Sequence, residues 1–403
     1  MAGAPKDYDP RGVGIQNSGV RLTNQRVVLT SISRNPGVSA AELSRLTRLA
    51  PQTVGAILTD LDEAELLRAG EVIRGRRGQP ATPYFVNSDG AYSIGVEVGW
   101  RHLEAVLVNI GGQSLQTYRR DYDFPDARTI ASEIGDIVRR FRSALPESRR
   151  GRLIALGLAA PGGIGRNVVE FTGDPEIARL WDGLDLREAV EATTGLPVQL
   201  VNDGNAACWA EFGAQPKPRP ANLVYILIST FVGAGIIAES TLWEGPTGNS
   251  ANLGSMLVTD RQGRQNFVHR IASIQALRQR LAAAGISVPS TPAVAWPWDQ
   301  WEPHVSEWIA DAAPALAKVL MNTAAVIEYD VAVLDGVMPA PVLDRLIDAT
   351  RRRLDDLPTL TFDHPKLLKG HLGAAAPSIG AAYLPLFRRF FSRDISHLAD
   401  AAD

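Results

Sequence analysis

Ser39 and Glu42 stand three residues apart between Val38 and Leu43, the pattern of a capping box bracketed by a hydrophobic staple, and this spacing limits the local fold more tightly than any composition could. The serine hydroxyl can take the amide of the glutamate while the carboxylate reaches back, which fixes a helix start at Ser39. Leu43 and Leu46 give that helix an apolar side, and Thr47-Arg48-Leu49 makes a turn. Pro51 follows where a second helix can begin, because the first helical residue needs no amide hydrogen. Val54, Ile57, Leu58 and Leu61 then recur at helical spacing and define a buried face. Gln52, Thr53 and Ala56 fall on the other side near the helix N-terminus, the end that a recognition helix presents to base edges in a major groove. A glutamine there can pair two hydrogen bonds with adenine.

Leu66 and Leu67 close this small core, and Arg68 to Val86 reads as strand, turn, strand with the run RGRRGQP, Arg74 to Pro80, at its tip. Three arginines on so small a domain call for a negative partner, and the narrow minor groove beside a recognition site attracts inserted arginine. The spacing therefore predicts a winged helix-turn-helix over residues 19–88, with Arg48, Gln52, Thr53, Ala56, Arg74, Arg76, Arg77 and Gln79 as candidate DNA contacts. The plainer alternative is a small helical bundle with a solvated loop.

Charge follows the same division. Residues 20–85 carry nine Arg and six Asp or Glu, a local +3, which leaves −6 for the remainder of a chain whose total is −3. A basic reader joined to an acidic remainder suits a regulator of nucleic acid. The single cysteine, Cys208, excludes an internal disulfide framework and suits a reducing compartment. No apolar run approaches the roughly 18 to 20 residues of a membrane span, and the polar N-terminus is unlike a signal sequence, so the expected location is cytoplasmic with no membrane partner.

With 403 residues the chain is long enough for two or three domains. Residues 1–18 lack periodicity and read as a mobile arm, and Leu22, Val28, Leu29 and Ile32 suggest a first helix ended by Asn35-Pro36-Gly37. Asn87-Ser88-Asp89-Gly90 marks a boundary. Beyond it Tyr92–Val98, Leu103–Ile110 and Ser114–Asp121 alternate as strands, followed by a helix from about Ala127 to Leu145 and strands at Leu153–Ala159 and Val198–Val201. Asn202-Asp203-Gly204-Asn205 then leads into an Ala-rich helix. A second round has strands at Leu223–Ile228 and Gly233–Glu239, helices near Asn266–Ala284 and His304–Ile327, a strand at Val331–Leu334 and more helix over Pro341–Leu354. The last helix, about Ser378–Phe391, is expected to pack back onto the first lobe. This order is that of a two-lobed α/β actin-like domain of the sugar-kinase type, with a cleft between the lobes. The first lobe takes residues 92–205 with 376–396, and the second takes 206–375.

Four stretches make the chain similar to the ROK family of repressors, uncharacterised proteins and sugar kinases: IGVEVG (Ile94–Gly99), APGG (Ala160–Gly163), VNDGNAACWAEFGA (Val201–Ala214) and GPTGNSANLGSM (Gly245–Met256). The likeness runs from Asn24 to about Phe391, and the helix pair in front points to the repressor branch. That resemblance implies a dimer or tetramer on a pseudo-palindromic double-stranded operator, with a sugar or related effector in the cleft. Gly162, Asn202, Asp203, Asn249, Asn252 and Ser255 are the candidate effector contacts it implies, and Asp203, which holds the place of the kinases' catalytic base, either accepts a sugar hydroxyl or serves a structural turn.

Departures from the kinase pattern are as informative. Trp100 replaces a phosphate-loop glycine, Arg101 replaces a hydroxyl residue, and Phe231 stands in the second loop, Ser229–Gly235. Phosphoryl transfer depends on positioning and charge stabilisation, so a chain without either cradle is expected to lack kinase activity and a nucleotide cofactor. Ser255 holds the place of the family's zinc-binding histidine and Thr259–His269 contains no cysteine, so no metal is expected. Asn252 and Ser255 also replace a glutamate and a histidine that grip sugar in the family, which weakens the expectation of ordinary hexose. The rivals are a kinase carrying a DNA reader and a ligand-independent regulator whose cleft is a scaffold. Trp296, Trp298, Trp301 and Trp308, four of the eight tryptophans, are not a family expectation and could form packing, an interface or a lid.

Overall fold

The computed structural model describes residues 17–72, 81–165 and 175–392. They divide into two compact units, one of residues up to Gly90 together with Phe387–Ser392, the other running from Ala91 to Leu386.

In the first unit α1 spans Asn17–Arg34, α2 Ala40–Thr47 and α3 Pro51–Glu63. Ser39 is the N-cap of α2. Its Oγ accepts from the Glu42 amide at 3.4 Å while its own amide donates to Glu42 Oε2 at 2.8 Å, so the capping box is closed in both directions. Arg48 turns the chain through a left-handed conformation, φ 55°, and Pro51 opens α3. Val28, Leu29, Ile32, Val38, Leu43, Val54, Ile57, Leu58, Leu61, Leu66 and Leu67 form the buried core. Leu22 and Leu46 do not join it, at 46% and 58% exposure. The start of α1 is fastened by polar contacts instead, Arg21 Nε to Asp60 Oδ2 at 3.0 Å and Gln25 Nε2 to the same oxygen at 2.9 Å. On α2, eight residues long, Leu43 alone is buried. Strands β1, Leu67–Ala69, and β2, Tyr84–Val86, pair antiparallel with Leu67 opposite Val86, and the rest of the expected Arg68–Val86 ribbon lies in part outside the described residues.

The second unit holds two five-stranded sheets of matching topology. One is ordered β5-β4-β3-β6-β7, from β3 Tyr92–Val98, β4 His102–Asn109, β5 Ser114–Asp121, β6 Leu153–Ala160 and β7 Val198–Asn202. Its first three strands are antiparallel, while β6 and β7 run parallel to β3. Helix α4, Ile130–Ala144, buries Ile130, Ile134, Ile137, Val138 and Phe141. Between β6 and β7 lie α5, Pro175–Asp182, and α6, Leu186–Thr194, which bury few apolar residues and were not foreseen from periodicity.

Helix α7, Asp203–Ala214, leads into the second sheet, ordered β10-β9-β8-β13-β14, from β8 Leu223–Ile228, β9 Val232–Ala238, β10 Thr241–Leu242, β13 Val331–Gly336 and β14 Lys366–Lys369. The helix expected over Asn266–Ala284 is instead a hairpin strand and two helices. Strand β11, Leu257–Thr259, pairs with β12, Gln265–Phe267, before α8, His269–Ala272, and α9, Ile274–Ala283. Ser273 makes the break, its Oγ accepting from the Ala276 amide at 3.1 Å as the N-cap of α9. Helices α10, His304–Ala324, and α11, Ala340–Asp355, follow, and α12, Ala376–Phe390, runs past Leu386 into the residues grouped with the first unit.

Helix α12 returns to the first sheet, as expected. Its backbone lies so close that a Cβ on Gly157 would stand 1.8 Å from the Ala381 carbonyl oxygen, and one on Gly95 would stand 2.0 Å from that of Ser378. The four clustered tryptophans are all buried, with Trp296 and Trp298 stacked at 5.8 Å and Trp308 against Trp298 at 6.4 Å, so packing is what they do.

Candidate functional site

Two surfaces carry the expected site residues. On the first unit, Gln52, Thr53 and Ala56 are exposed along the start of α3, with Arg48 exposed on the turn before it. The opposite side of α3 is sealed by Val54, Ile57, Leu58 and Leu61. No acidic residue occupies the first turn of α3, so the partial positive charge of the helix N-terminus meets solvent undiminished. Arg74, Arg76, Arg77 and Gln79 lie outside the described residues.

In the second unit, the site begins where β7 ends. Asn202 caps α7, its Oδ1 accepting from the amides of Gly204 at 3.0 Å and Asn205 at 3.3 Å. This sets Asp203 in the first turn of α7. A Cβ on Gly204 would stand 2.4 Å from the Ala234 backbone nitrogen, so a glycine is what lets α7 lie against β9. Asn205 Nδ2 donates to the Gly248 carbonyl at 3.1 Å and draws the Gly245–Ser250 loop over the helix start.

The result is a cavity of about 260 Å³ bordered by Gly162, Asn202, Asp203, Asn249, Asn252 and Ser255. All six candidates thus come together. Gly162 faces Asn249 so closely that a Cβ would stand 2.8 Å from its Oδ1. Ser255 Oγ donates to Asn252 Oδ1 at 3.1 Å, orienting that amide. Burial, reinforced by the Glu97 carboxylate, pushes the Asp203 carboxyl up to about 6. Its Oδ1 accepts from the Gly204 amide at 2.9 Å.

An aromatic wall closes one side. Trp100, buried beside the first sheet, meets Phe231 edge to face at 5.2 Å and 85°, and Phe231 meets His269 at 5.5 Å. Phe231 comes from the turn after β8 yet packs on the apolar core of the first sheet, so the wall joins the lobes. His269 was missed in the sequence. The β11–β12 hairpin carries it back until its ring rests on Gly254, where an added Cβ would stand 2.2 Å from Cε1. The chain thus brings an imidazole from position 269 to the neighbourhood of Ser255; a histidine just beyond the expected sugar motif, in a chain with six, was the available signal. The Val232 amide donates to His269 Nδ1 at 3.1 Å, which leaves the ring proton on Nε2. Burial lowers His269 to about 4, so the ring is neutral.

Amides, hydroxyls, one carboxyl and a neutral imidazole around a small cavity form a set suited to hydroxyl groups. Among the described residues, no group of three His, Cys, Asp or Glu is placed to hold a metal ion. No described helix is long and apolar enough to cross a membrane.

Residues 93–387 match a family model described as the ROK family. The chain is 29% identical to the xylose repressor of Bacillus spizizenii over 245 residues, 59% of this chain and 61% of that protein. It therefore spans about three fifths of the length of the curated relatives it matches first. It is 32% identical to the glucokinase of Streptomyces coelicolor over 163 residues, 40% of this chain and 48% of that protein. A solved ROK family transcriptional regulator, described as a homologue of the E. coli MLC protein, superposes with a TM-score of 0.68 at 20% identity, covering 92% of this chain and 98% of that one. At that identity the likeness is one of fold.

Proposed function

The chain belongs to the ROK family, and from that premise we propose that it is a DNA-binding transcriptional regulator, a repressor, whose interlobe cavity senses a sugar or a related polyhydroxylated ligand. The observation that carries the reading is the division of α3, with Val54, Ile57, Leu58 and Leu61 buried and Gln52, Thr53 and Ala56 presented to solvent at its N-terminal end. A helix that keeps an uncharged, hydrogen-bonding face at that end is built to enter a major groove. The named xylose repressors among its relatives support the same reading. In it the chain works in the cytoplasm as a homodimer or tetramer, on a pseudo-palindromic operator whose half-sites lie one or two helical turns apart. It needs no cofactor and no metal.

In this reading the chain is not a kinase, because Trp100 and Phe231 replace small residues at the two positions of the family's phosphate loops, and the contact of their rings at 5.2 Å supports that. Ligand in the cavity and operator on the reader are linked reciprocally, so a sugar that weakens operator binding is itself bound more weakly on the operator. Selection of bound sequences from random duplex DNA tests the proposal, repeated with xylose, glucose and N-acetylglucosamine present. Replacing Arg76 or Arg77 with Ala should weaken binding to any duplex and reduce the salt slope by about one. Thermal-shift screening separates a sensor from a ligand-independent scaffold, since a specific sugar raises stability by mass action.

One observation favours a sugar kinase as the second reading. Asp203, with its carboxyl raised to about 6, is suited to take a proton from a hydroxyl. ATP turnover over a sugar panel, abolished in Asp203→Asn, would establish that activity, and its absence supports the regulator.

A further inference from the structure

The polar side chains on the His269 side of the cavity keep mostly donors for a ligand. Asn252 Oδ1 accepts from the Ser255 hydroxyl at 3.1 Å, and His269 Nδ1 accepts from the Val232 amide at 3.1 Å. Protein donors thus occupy the accepting atom of each residue. What remains is an N–H group on both, Asn252 Nδ2 and His269 Nε2, and neither has a partner among the described residues.

Both groups flank one short turn, Leu253–Ser255. The Asn252 amide is tied to Ser255, the His269 ring rests on Gly254, and Arg270 borders the cavity next to His269. Among the described residues Asp203 is the one carboxylate that borders the cavity. A ligand hydroxyl set on Asn252 and His269 would accept from both but would also have to place its own proton, with Ser255 Oγ, a weaker acceptor than a carboxylate, to receive it. A ligand carboxylate accepts from both and has no proton to place. Asn252 also stands where the resemblance to the family's sugar binders puts a glutamate, and an amide there lacks the charge that would repel an anion.

We propose that the ligand of this cavity is a sugar acid, its carboxylate held by Asn252 Nδ2 and His269 Nε2 with Arg270 beside them and its hydroxyls turned toward Asp203. The assignment rests on the reading of the cavity as a sensor and names the class of ligand sensed. Ser255 Oγ, whose proton goes to Asn252, remains an acceptor for a hydroxyl next to the carboxylate. A cyclic uronate and an open-chain aldonate present the same group.

Isothermal titration of the full-length protein with glucuronate and xylonate, beside glucose, xylose and N-acetylglucosamine, tests this. At least one acid should bind about tenfold or more tightly than its parent sugar. Asn252→Asp keeps an acceptor for the Ser255 hydroxyl and sets a like charge before the ligand, so it should weaken that acid about tenfold or more and weaken the parent sugar less. His269→Leu should weaken the acid as well, and His269→Gln, which keeps a donor, should weaken it less. Should His269→Leu fail to fold, Asn252→Asp, at an exposed residue, carries the test. Each acid bound no more tightly than its parent sugar, N-acetylglucosamine bound more tightly than either acid, or acid binding unchanged in Asn252→Asp overturns the sugar acid and leaves the sensor standing. Failure of all these compounds to bind below about 10 mM overturns the sugar acid together with the sensing on which it rests.

Discussion

Asp203 borders the polar cavity, and its protonation bears on the stability of the fold. Its folded-state carboxyl lies at about 6, above the ordinary 3.8, mainly through burial. Between these values the native state binds more protons than the unfolded state, so this group makes stability fall as pH rises from about 4 to about 6. Asn at this position can still accept the Gly204 amide but carries no charge. Asp203→Asn should therefore raise the melting temperature relative to the parent at pH 7.5 and lose that advantage near pH 4. An equal difference at both values would show that Asp203 is not raised. Ser39→Ala removes one arm of the capping box and should lower the stability of the first unit by about 1 kcal/mol in urea unfolding. The cavity residues were legible through the resemblance of three separate motifs to the ROK family, since Gly162, Asn202 and Asn249 stand far apart in the chain and no local spacing joins them. His269 was not, since a hairpin outside the motif brings it to Gly254.

At the scale of elements, glycine separates packed surfaces from open ones. Gly157→Ala would drive a methyl into the Ala381 carbonyl of α12, an overpacking that should cost about 1–3 kcal/mol or more in urea unfolding. Gly55, in the middle of α3, has nothing within 4 Å of an added Cβ, so Gly55→Ala should instead stabilise the first unit by about 0.5–1 kcal/mol. Loss of stability in the second variant would mean that α3 is packed where it is described as open. Helices with strong local signals were readable from sequence: the capping box set α2, Pro51 set α3, and the apolar stripe from Ile130 to Phe141 set α4. Local pattern fails where tertiary context decides. Leu22 and Leu46 have the right spacing but nothing to pack against, Ser273 divides a helix that periodicity joins, and β14 is four residues recognised only by its pairing with β13.

For the molecule as a whole, the chain divides into a +3 front segment and a −6 remainder, and the proposed regulator needs its positive charge on the part that would meet a duplex. Phe231 and Trp100 join the two lobes of the second unit by an aromatic contact that borders the polar cavity. The most direct measurement is the selection of duplexes by the full-length protein from a random pool, carried out beside a Gln52→Ala variant. Enrichment of one pseudo-palindromic sequence by the parent is expected and, in the variant, loss of discrimination at one base pair per half-site, worth about 1–3 kcal/mol. No sequence enriched above the starting pool, or the same sequence enriched equally by Gln52→Ala, would contradict it.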